Sequence, residues 1–190
     1  MSLPQGINYR STSGFVTDGA NEYPQVATAI DYPTTTPQGN SVGWEVAKLN
    51  SIQTRDRNSG NDRRLAGVNF PTGDGIGTVF TYRIDLPSAG NYNIAIAAGD
   101  PNYSSPCNWD LYDNVTKLTT LTSGTTSAAQ RFKDATNTEY TQATWPGSNT
   151  KYAATFASTI LRIQNLASAV DVVAHLYVEA GTKRFFLIPN

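Results

Sequence analysis

Two stretches of alternating apolar and polar residues constrain the fold of this chain more than any other feature. The first, TVFTYRIDL at residues 78–86, directs four side chains to one face: Phe80, Tyr82, Ile84 and Leu86. The second, NYNIAIAAG at residues 91–99, does the same with Tyr92, Ile94, Ile96 and Ala98. A period of two residues is typical of a β-strand with one buried face. Because the turn sequence PSAG separates the two stretches, the pattern predicts an antiparallel hairpin.

Further strands are predicted along the second half of the chain. WDLYDNVTKLTTL (109–121) reads as two strands that turn at Asp113 and Asn114, and TFASTILRIQNL (155–166) reads as a strand pair or one long strand. DVVAHLYVEA and TKRFFLIPN indicate a final hairpin that turns at residues 180–182. A short helix or turn is expected at 126–132, while the first 50 residues are mostly loop-like apart from a short edge strand near residues 6–10.

Short strands with frequent turn signals predict an all-β fold, either a sandwich or a barrel. We expect a single antiparallel β-sandwich of jelly-roll or galactose-binding-like type, with long loops. A chain of 190 residues is the right length for one domain, so the predicted domain spans residues 1–190, with residues 1–10 as an N-terminal arm.

Charge and composition exclude several classes of function. Charged residues make up 15% of the chain and the formal net charge is −1, so there is no general attraction for nucleic acid or anionic lipid. No run of 18 apolar residues occurs, which predicts that the chain does not cross a membrane. The first residues, MSLPQGINYRS, lack a basic segment followed by an apolar one, so no signal peptide is expected.

A dense group of arginines is the second unusual feature. The stretch RDRNSGNDRRLAGVNF (55–70) carries four of them: Arg55, Arg57, Arg63 and Arg64. A phosphate-binding loop is disfavoured because Gly60 is isolated and no helix follows. Nucleic-acid binding is disfavoured because Asp56 and Asp62 dilute the positive charge. We favour a network in which guanidinium groups tie the loop together, with contact to a partner subunit as the alternative.

Catalytic and metal-binding groups are sparse, and we predict a protein without enzymatic activity or cofactor. His175 is the only histidine and Cys107 the only cysteine, so neither a zinc site nor a disulfide can be built from the chain alone. His175 is predicted to lie in the middle of a strand. The alternation in VVAHLYV places it on one face with Val173 and Tyr177, and places Val172, Ala174, Leu176 and Val178 on the other. Four residues near one loop carry oxygen atoms of the kind that bind calcium, although their spacing matches no EF-hand: Asp100, Asn102, Asp110 and Asp113.

Three pieces of the chain carry a family resemblance. They are INYRSTSGFVTDG near the N-terminus, the segment from GWEV to RDRNSGNDRRLAGVNF, and YRIDLPSAGNYNIAIAAGD. Together they resemble malectin-like and galactose-binding-like β-sandwiches, of the kind found in small virion proteins of tailed phages and prophages. The ending AHLYVE also resembles the last sandwich strand of such proteins. The resemblance covers roughly residues 6–180 and implies the fold more specifically than the function.

The resemblance implies a non-enzymatic virion structural protein, most directly a decoration or cement protein on the head surface. Its expected partners are the major capsid protein or other virion proteins, and copies of itself as a homo-oligomer. Such a protein is assembled into the virion in the host cytoplasm. We predict partner contacts from Arg55, Arg57, Arg63 and Arg64 and from the N-terminal arm.

The alternative function is a carbohydrate-binding module that recognises a cell-surface polysaccharide, which includes a receptor-binding role on a tail appendage. Sugar rings stack on exposed aromatic side chains, and three aromatic residues are candidates: Tyr103, Trp109 and Trp145. Tyr103 and Trp145 lie in loop-like segments, which predicts exposure. Trp109 alternates with Leu111, which indicates burial, and Trp44 is expected to be structural.

Overall fold

The structure is a computed structural model. It describes residues 16–18, 21–23, 32–35, 41–45, 52–56, 65, 67–71, 78–145, 152–166, 171–173, 175–180 and 183–187. In these residues the chain is nearly all β, with a short 3-10 turn at Gln142–Thr144. None of the described helical residues forms a helix of the length and apolarity that crossing a membrane requires.

Sixteen strands are described, which we number in chain order. They are β1 (Val16–Asp18), β2 (Asn21–Tyr23), β3 (Thr34–Thr35), β4 (Ser41–Trp44), β5 (Ile52–Asp56), β6 (Gly67–Pro71), β7 (Thr81–Asp85), β8 (Gly90–Asp100), β9 (Trp109–Asp113), β10 (Thr116–Thr122), β11 (Arg131–Lys133), β12 (Glu139–Thr141), β13 (Tyr152–Phe156), β14 (Ile160–Asn165), β15 (His175–Ala180) and β16 (Lys183–Leu187).

Two large antiparallel sheets pack face to face, which confirms the predicted all-β sandwich. The first sheet has the strand order β10-β9-β14-β7-β4-β3. The second has the order β12-β11-β8-β15-β16, and β13 pairs with the first half of β8. Two small hairpins, β1-β2 and β5-β6, accompany them.

The main core lies between the two sheets, and the apolar residues of the two alternating stretches form part of it. All four apolar residues of the first alternating stretch and all four of the second belong to this one buried cluster, as predicted. Trp44 and Trp109, each 2% exposed, lie side by side in it with ring centroids 6.2 Å apart. Burial of a large apolar side chain contributes about 1.5–3 kcal/mol, so this layer is the main source of stability.

The predicted pairing of the two alternating stretches is wrong. β7 pairs with β4 and β14 in the first sheet, whereas β8 pairs with β11, β13 and β15 in the second. The turn between them therefore crosses from one layer of the sandwich to the other. This arrangement lets both apolar faces meet across the core, which a hairpin within one sheet would not do.

The other local predictions have mixed outcomes. The β9-β10 hairpin turns at Asn114, whose φ of 53° is one that asparagine tolerates, and the final β15-β16 hairpin is also confirmed. TFASTILRIQNL forms two strands, β13 and β14, that belong to different sheets. Of the short helix or turn expected at 126–132, the structure shows a turn at residues 129 and 130, and the next two residues already belong to β11. The proposed edge strand and N-terminal arm at residues 1–10 lie outside the described residues.

A second, smaller apolar cluster covers part of the outer face of the second sheet. Its fully buried members are Leu65, Val68, Ala97, Phe132 and Val172, and Phe70 and Trp145 pack against them. Leu65 and Val68 belong to the β5-β6 hairpin segment, so this cluster attaches that hairpin to the sandwich. The predicted face of Val172 is wrong, since Val173 rather than Val172 shares the main core with Leu176.

Candidate functional site

The outer face of the first sheet carries the most extensive group of charged side chains in the described part of the chain. Arg83 on β7 and Arg162 on β14 are direct cross-strand neighbours in the ladder. Both occupy outward positions of alternating strands, opposite the core residues that flank them. Two like charges at such positions repel each other unless an anion lies between them.

Glu45, which directly follows β4, supplies that anion. Arg162 donates from Nε to Oε2 over 2.6 Å and from Nη2 to Oε1 over 2.8 Å, a bidentate pair. Arg83 donates from Nη1 to Oε1 over 3.3 Å. Arg162 also donates to the side-chain oxygen of Asn114 at the β9-β10 turn. One carboxylate therefore joins strands β4, β7 and β14.

Tyr32 and Asp85 complete the group. Arg83 Nε donates to Asp85 Oδ1 over 2.8 Å, and the Tyr32 hydroxyl donates to Asp85 Oδ2 over 2.8 Å. The guanidinium carbon of Arg83 lies 4.2 Å from the centre of the Tyr32 ring, which is cation–π geometry. We call this set the Glu45 network, defined by six residues: Tyr32, Glu45, Arg83, Asp85, Asn114 and Arg162.

The electrostatics of the Glu45 network keep the Glu45 carboxylate ionised and the Tyr32 hydroxyl neutral at neutral pH. The hydrogen bond from Arg162, helped by Arg83, lowers the pKa of Glu45. Burial and the hydrogen bond to Asp85 raise the pKa of the Tyr32 hydroxyl. A carboxylate with a lowered pKa is a poor general acid, and this one is already occupied by two arginines. The network is therefore suited to holding strands together rather than to proton transfer.

A second set of polar contacts lies on the same face, at the next outward-facing pair of positions on β7 and β14. Gln164 Nε2 donates to Thr81 Oγ1 over 2.8 Å. Asp110, only 2% exposed, accepts from Lys117 Nζ over 2.7 Å and from Thr120 Oγ1 over 2.6 Å. These contacts again join neighbouring strands, so the outer face is a cross-linked polar surface.

The four predicted partner-binding arginines are only partly located by the structure. Arg55 lies on β5, opposite Val68 of β6 in the hairpin ladder. Arg57, Arg63 and Arg64 lie in the segment between β5 and β6, outside the described residues. The apolar residue that follows them, Leu65, is fully buried in the small cluster. Apolar packing of Leu65 therefore helps to hold this segment on the sandwich, a role that we predicted for the arginines.

The three aromatic candidates for sugar binding lie in different environments. Tyr103, in the loop between β8 and β9, is 60% exposed as predicted. Trp109 is 2% exposed and donates from Nε1 to the carbonyl of Val172 over 3.2 Å, so its ring is not free to stack on a sugar. The exposure predicted for Trp145 is wrong. It is half-buried and makes edge-on contacts with Phe132 and Tyr140.

The candidate catalytic and metal-binding groups are not brought together. Cys107 is fully buried, and desolvation raises the pKa of its thiol to about 12, which disfavours the reactive thiolate. Of the calcium candidates, Asp113 accepts from the backbone of Ala157 and Ser158. Asp110 instead accepts from the side chains of Lys117 and Thr120. Among the described residues, no group of three or more histidine, cysteine, aspartate or glutamate side chains could hold a metal ion.

Sequence reasoning missed the Glu45 network. Its arginines lie at outward, charged positions of alternating strands, but their partner Glu45 follows a strand that is far away in sequence. No family model, curated protein or solved structure matches this chain.

Proposed function

We propose that this chain is a non-enzymatic structural protein of a tailed-phage virion that binds the outer surface of the head as a decoration or cement protein. The virion assignment comes from the sequence resemblance. The structural observation that supports a binding role is the Glu45 network, in which charged side chains are used to cross-link strands.

The physical argument is that a decoration protein acts as a prefolded block. A protein that binds the assembled shell stabilises the shell by mass action. A binding protein that is already rigid loses less conformational entropy when it docks. Two features supply that rigidity here. Glu45 joins three strands of the first sheet, and Leu65 and Val68 fasten an added hairpin onto the second.

The hairpin segment provides the candidate contact surface. Leu65 anchors it, and Arg57, Arg63 and Arg64 are close to this anchor in sequence. Arginine is enriched at protein interfaces because its planar group makes several directed hydrogen bonds. We therefore keep Arg55, Arg57, Arg63 and Arg64 as the proposed partner contacts.

The first experiment separates a phage lysate on a density gradient and probes each fraction for this protein. Co-sedimentation with filled heads at a fixed, high stoichiometry supports the proposal. Presence only in the soluble fractions overturns it, and presence in tail fractions overturns the head assignment.

The contact surface is tested by adding purified protein to particles that lack it. Arg63→Gln/Arg64→Gln removes two positive charges and should weaken binding at least about tenfold, or about 1.4 kcal/mol. Ala128→Glu/Ala129→Glu changes the net charge by the same amount at two exposed positions and is the matched control. Equal binding by both variants would remove these two arginines from the interface.

Glycan binding is the second candidate function, and the exposure of Tyr103 is the observation that favours it. Its neighbours Asn102 and Ser104 are also exposed, so an aromatic ring is presented beside polar groups. Tyr103→Ala should abolish signals on a glycan array. Val115→Ala is the control, because Val115 is 81% exposed at the opposite end of β9. An array without any signal for the unmodified protein overturns this candidate.

A further inference from the structure

The edges of the two large sheets differ in how well they are protected against pairing with another chain. Edge strands present unpaired N–H and C=O groups, and proteins blunt them with short strands, charges, prolines or bulges. The described strands at the sheet edges are β3, β10, β12, β13 and β16.

Four of these five edges carry such a device. β3 has two residues and follows Pro33. β10 has two register shifts against β9 and carries Lys117. β12 has three residues and includes Glu139. β16 begins with Lys183 and Arg184. Each is a poor template for a foreign strand.

β13 carries none of these devices. Its sequence, YAATF, has neither charge nor proline, and it pairs with β8 in unbroken register from Tyr152 with Ile94 to Phe156 with Gly90. In the part of the chain that the structure describes, no strand pairs with its other edge. Alternate residues of an antiparallel strand direct their N–H and C=O groups away from the paired neighbour. On β13 these backbone groups can pair with a further strand.

We propose that β13 is a self-association edge, at which two copies of this chain pair antiparallel about a two-fold axis through Ala154 and join their second sheets. This proposal rests on the sheet edges and not on the virion assignment.

The sequence of β13 is complementary to itself in that register. Tyr152 lies opposite Phe156 of the second copy, so a half-buried ring gains an aromatic neighbour. Ala153 lies opposite Thr155 of the second copy, and both are small, exposed residues. No like charges meet anywhere along the five pairs. An isologous contact of this kind is closed, so it forms a dimer and not a fibre.

The test uses two variants with equally large changes at the same two positions. Ala153→Lys/Thr155→Lys places lysine opposite lysine twice across the two-fold axis, and should raise the dimer dissociation constant at least about tenfold. Ala153→Glu/Thr155→Lys places glutamate opposite lysine twice and should retain the dimer. Both variants lose the Thr155–Asn91 hydrogen bond, so they are matched in that respect.

Sedimentation velocity over a concentration series measures the association, and thermal unfolding checks that each variant is folded. The expected result is a concentration-dependent dimer for the unmodified chain and for the Glu/Lys variant, but not for the Lys/Lys variant. A monomer at every concentration of the unmodified chain overturns the proposal. Equal association by the two variants, or its loss in both, also overturns it.

Hydrogen exchange gives a second readout that needs no variant. Alternate amides of Tyr152–Phe156 should become more protected as the concentration of unmodified protein rises. If another edge strand gains protection and β13 does not, the proposed edge is wrong.

Discussion

Glu45 and Arg162 are 117 positions apart in the chain, yet two parallel hydrogen bonds of 2.6 and 2.8 Å join them. This bidentate pair links the end of β4 to the middle of β14, across the intervening strand β7. Arg83 of β7 contacts the same carboxylate. The outer face of the first sheet is therefore held by one anion that three strands share, and its protonation state should matter for stability.

Replacement of Glu45 by glutamine should weaken the fold and flatten its response to acid. The folded-state pKa of Glu45 is lowered by the Arg162 hydrogen bond. Its contribution is therefore present above the unfolded pKa, near 4.5, and is lost as the pH falls through the folded pKa. Because the carboxylate is 25% exposed, the cost of Glu45→Gln at pH 7 should be modest, about 1–2 kcal/mol.

Urea denaturation at several pH values between 7 and 3 measures this effect. The difference in unfolding free energy between the unmodified protein and Glu45→Gln should shrink as the pH falls. Carboxylates outside the Glu45 network have the same surroundings in both proteins, so their contributions cancel in the difference. Parallel pH profiles for the two proteins would show that Glu45 contributes little through its charge.

The sequence predicts the faces of the strands better than their partners. Alternation identifies which side of residues 78–86 and 91–99 is buried because side-chain direction is a local property of extended backbone. Pairing is set by contacts distant in sequence, such as Arg83 with Arg162. A four-residue turn can join two strands of one sheet or cross between sheets, and the local sequence does not distinguish the two.

The candidate site shows the same limit. Polar loop composition predicted exposure for both Tyr103 and Trp145, and it was correct only for Tyr103. Trp145 is covered because Phe132 and Tyr140, from the β11-β12 hairpin, fold against it. Aromatic packing of this kind depends on tertiary neighbours, which single-sequence reasoning does not provide.

Cys107 should be inert in the folded protein. Its side chain is fully buried, its Sγ donates to the carbonyl of Ser105 over 3.1 Å, and burial raises the pKa of the thiol to about 12. Alkylation requires the thiolate, so iodoacetamide at pH 8 should modify the native protein at least about a hundredfold more slowly than the denatured protein. Intact mass spectrometry over time measures both rates. Fast modification of native protein would contradict the burial of this side chain.

Alanine substitutions at Gly99 and Gly90 distinguish the stability cost of steric overlap from the cost of backbone strain. Both have a positive φ, 156° and 147° respectively, so alanine strains the backbone at either position. A Cβ at Gly99 would overlap the carbonyl oxygen of Arg131, whereas a Cβ at Gly90 meets nothing within 4 Å. Gly99→Ala should therefore cost about 1–3 kcal/mol more than Gly90→Ala in denaturant unfolding. Equal costs would mean that β11 moves away without penalty.

Asp171 should act as an acceptor whose removal leaves two donors of the half-buried Asn108 without this partner. Its Oδ1 accepts from the backbone N and from Nδ2 of Asn108, each over 2.7 Å, and Asp171 is 0% exposed. Asp171→Ala should cost about 2–4 kcal/mol because two donors lose their acceptor. Asp171→Asn keeps an acceptor oxygen and should cost at least about 1 kcal/mol less. Equal losses in urea denaturation would assign the effect to packing instead of hydrogen bonding.

Replacement of Leu65 by alanine should loosen the arginine-bearing hairpin without unfolding the sandwich. Leu65 is fully buried, but its cluster lies on the outer face of the second sheet and is separate from the main core. The cavity should cost about 2–4 kcal/mol locally. Hydrogen exchange should therefore accelerate in β5 and β6 while β7 and β14 stay protected. Leu111→Ala, in the main core, is the control and should accelerate exchange in all four strands. If Leu65→Ala accelerates exchange equally everywhere, the two clusters unfold as one cooperative unit, and the hairpin is an integral part of the sandwich.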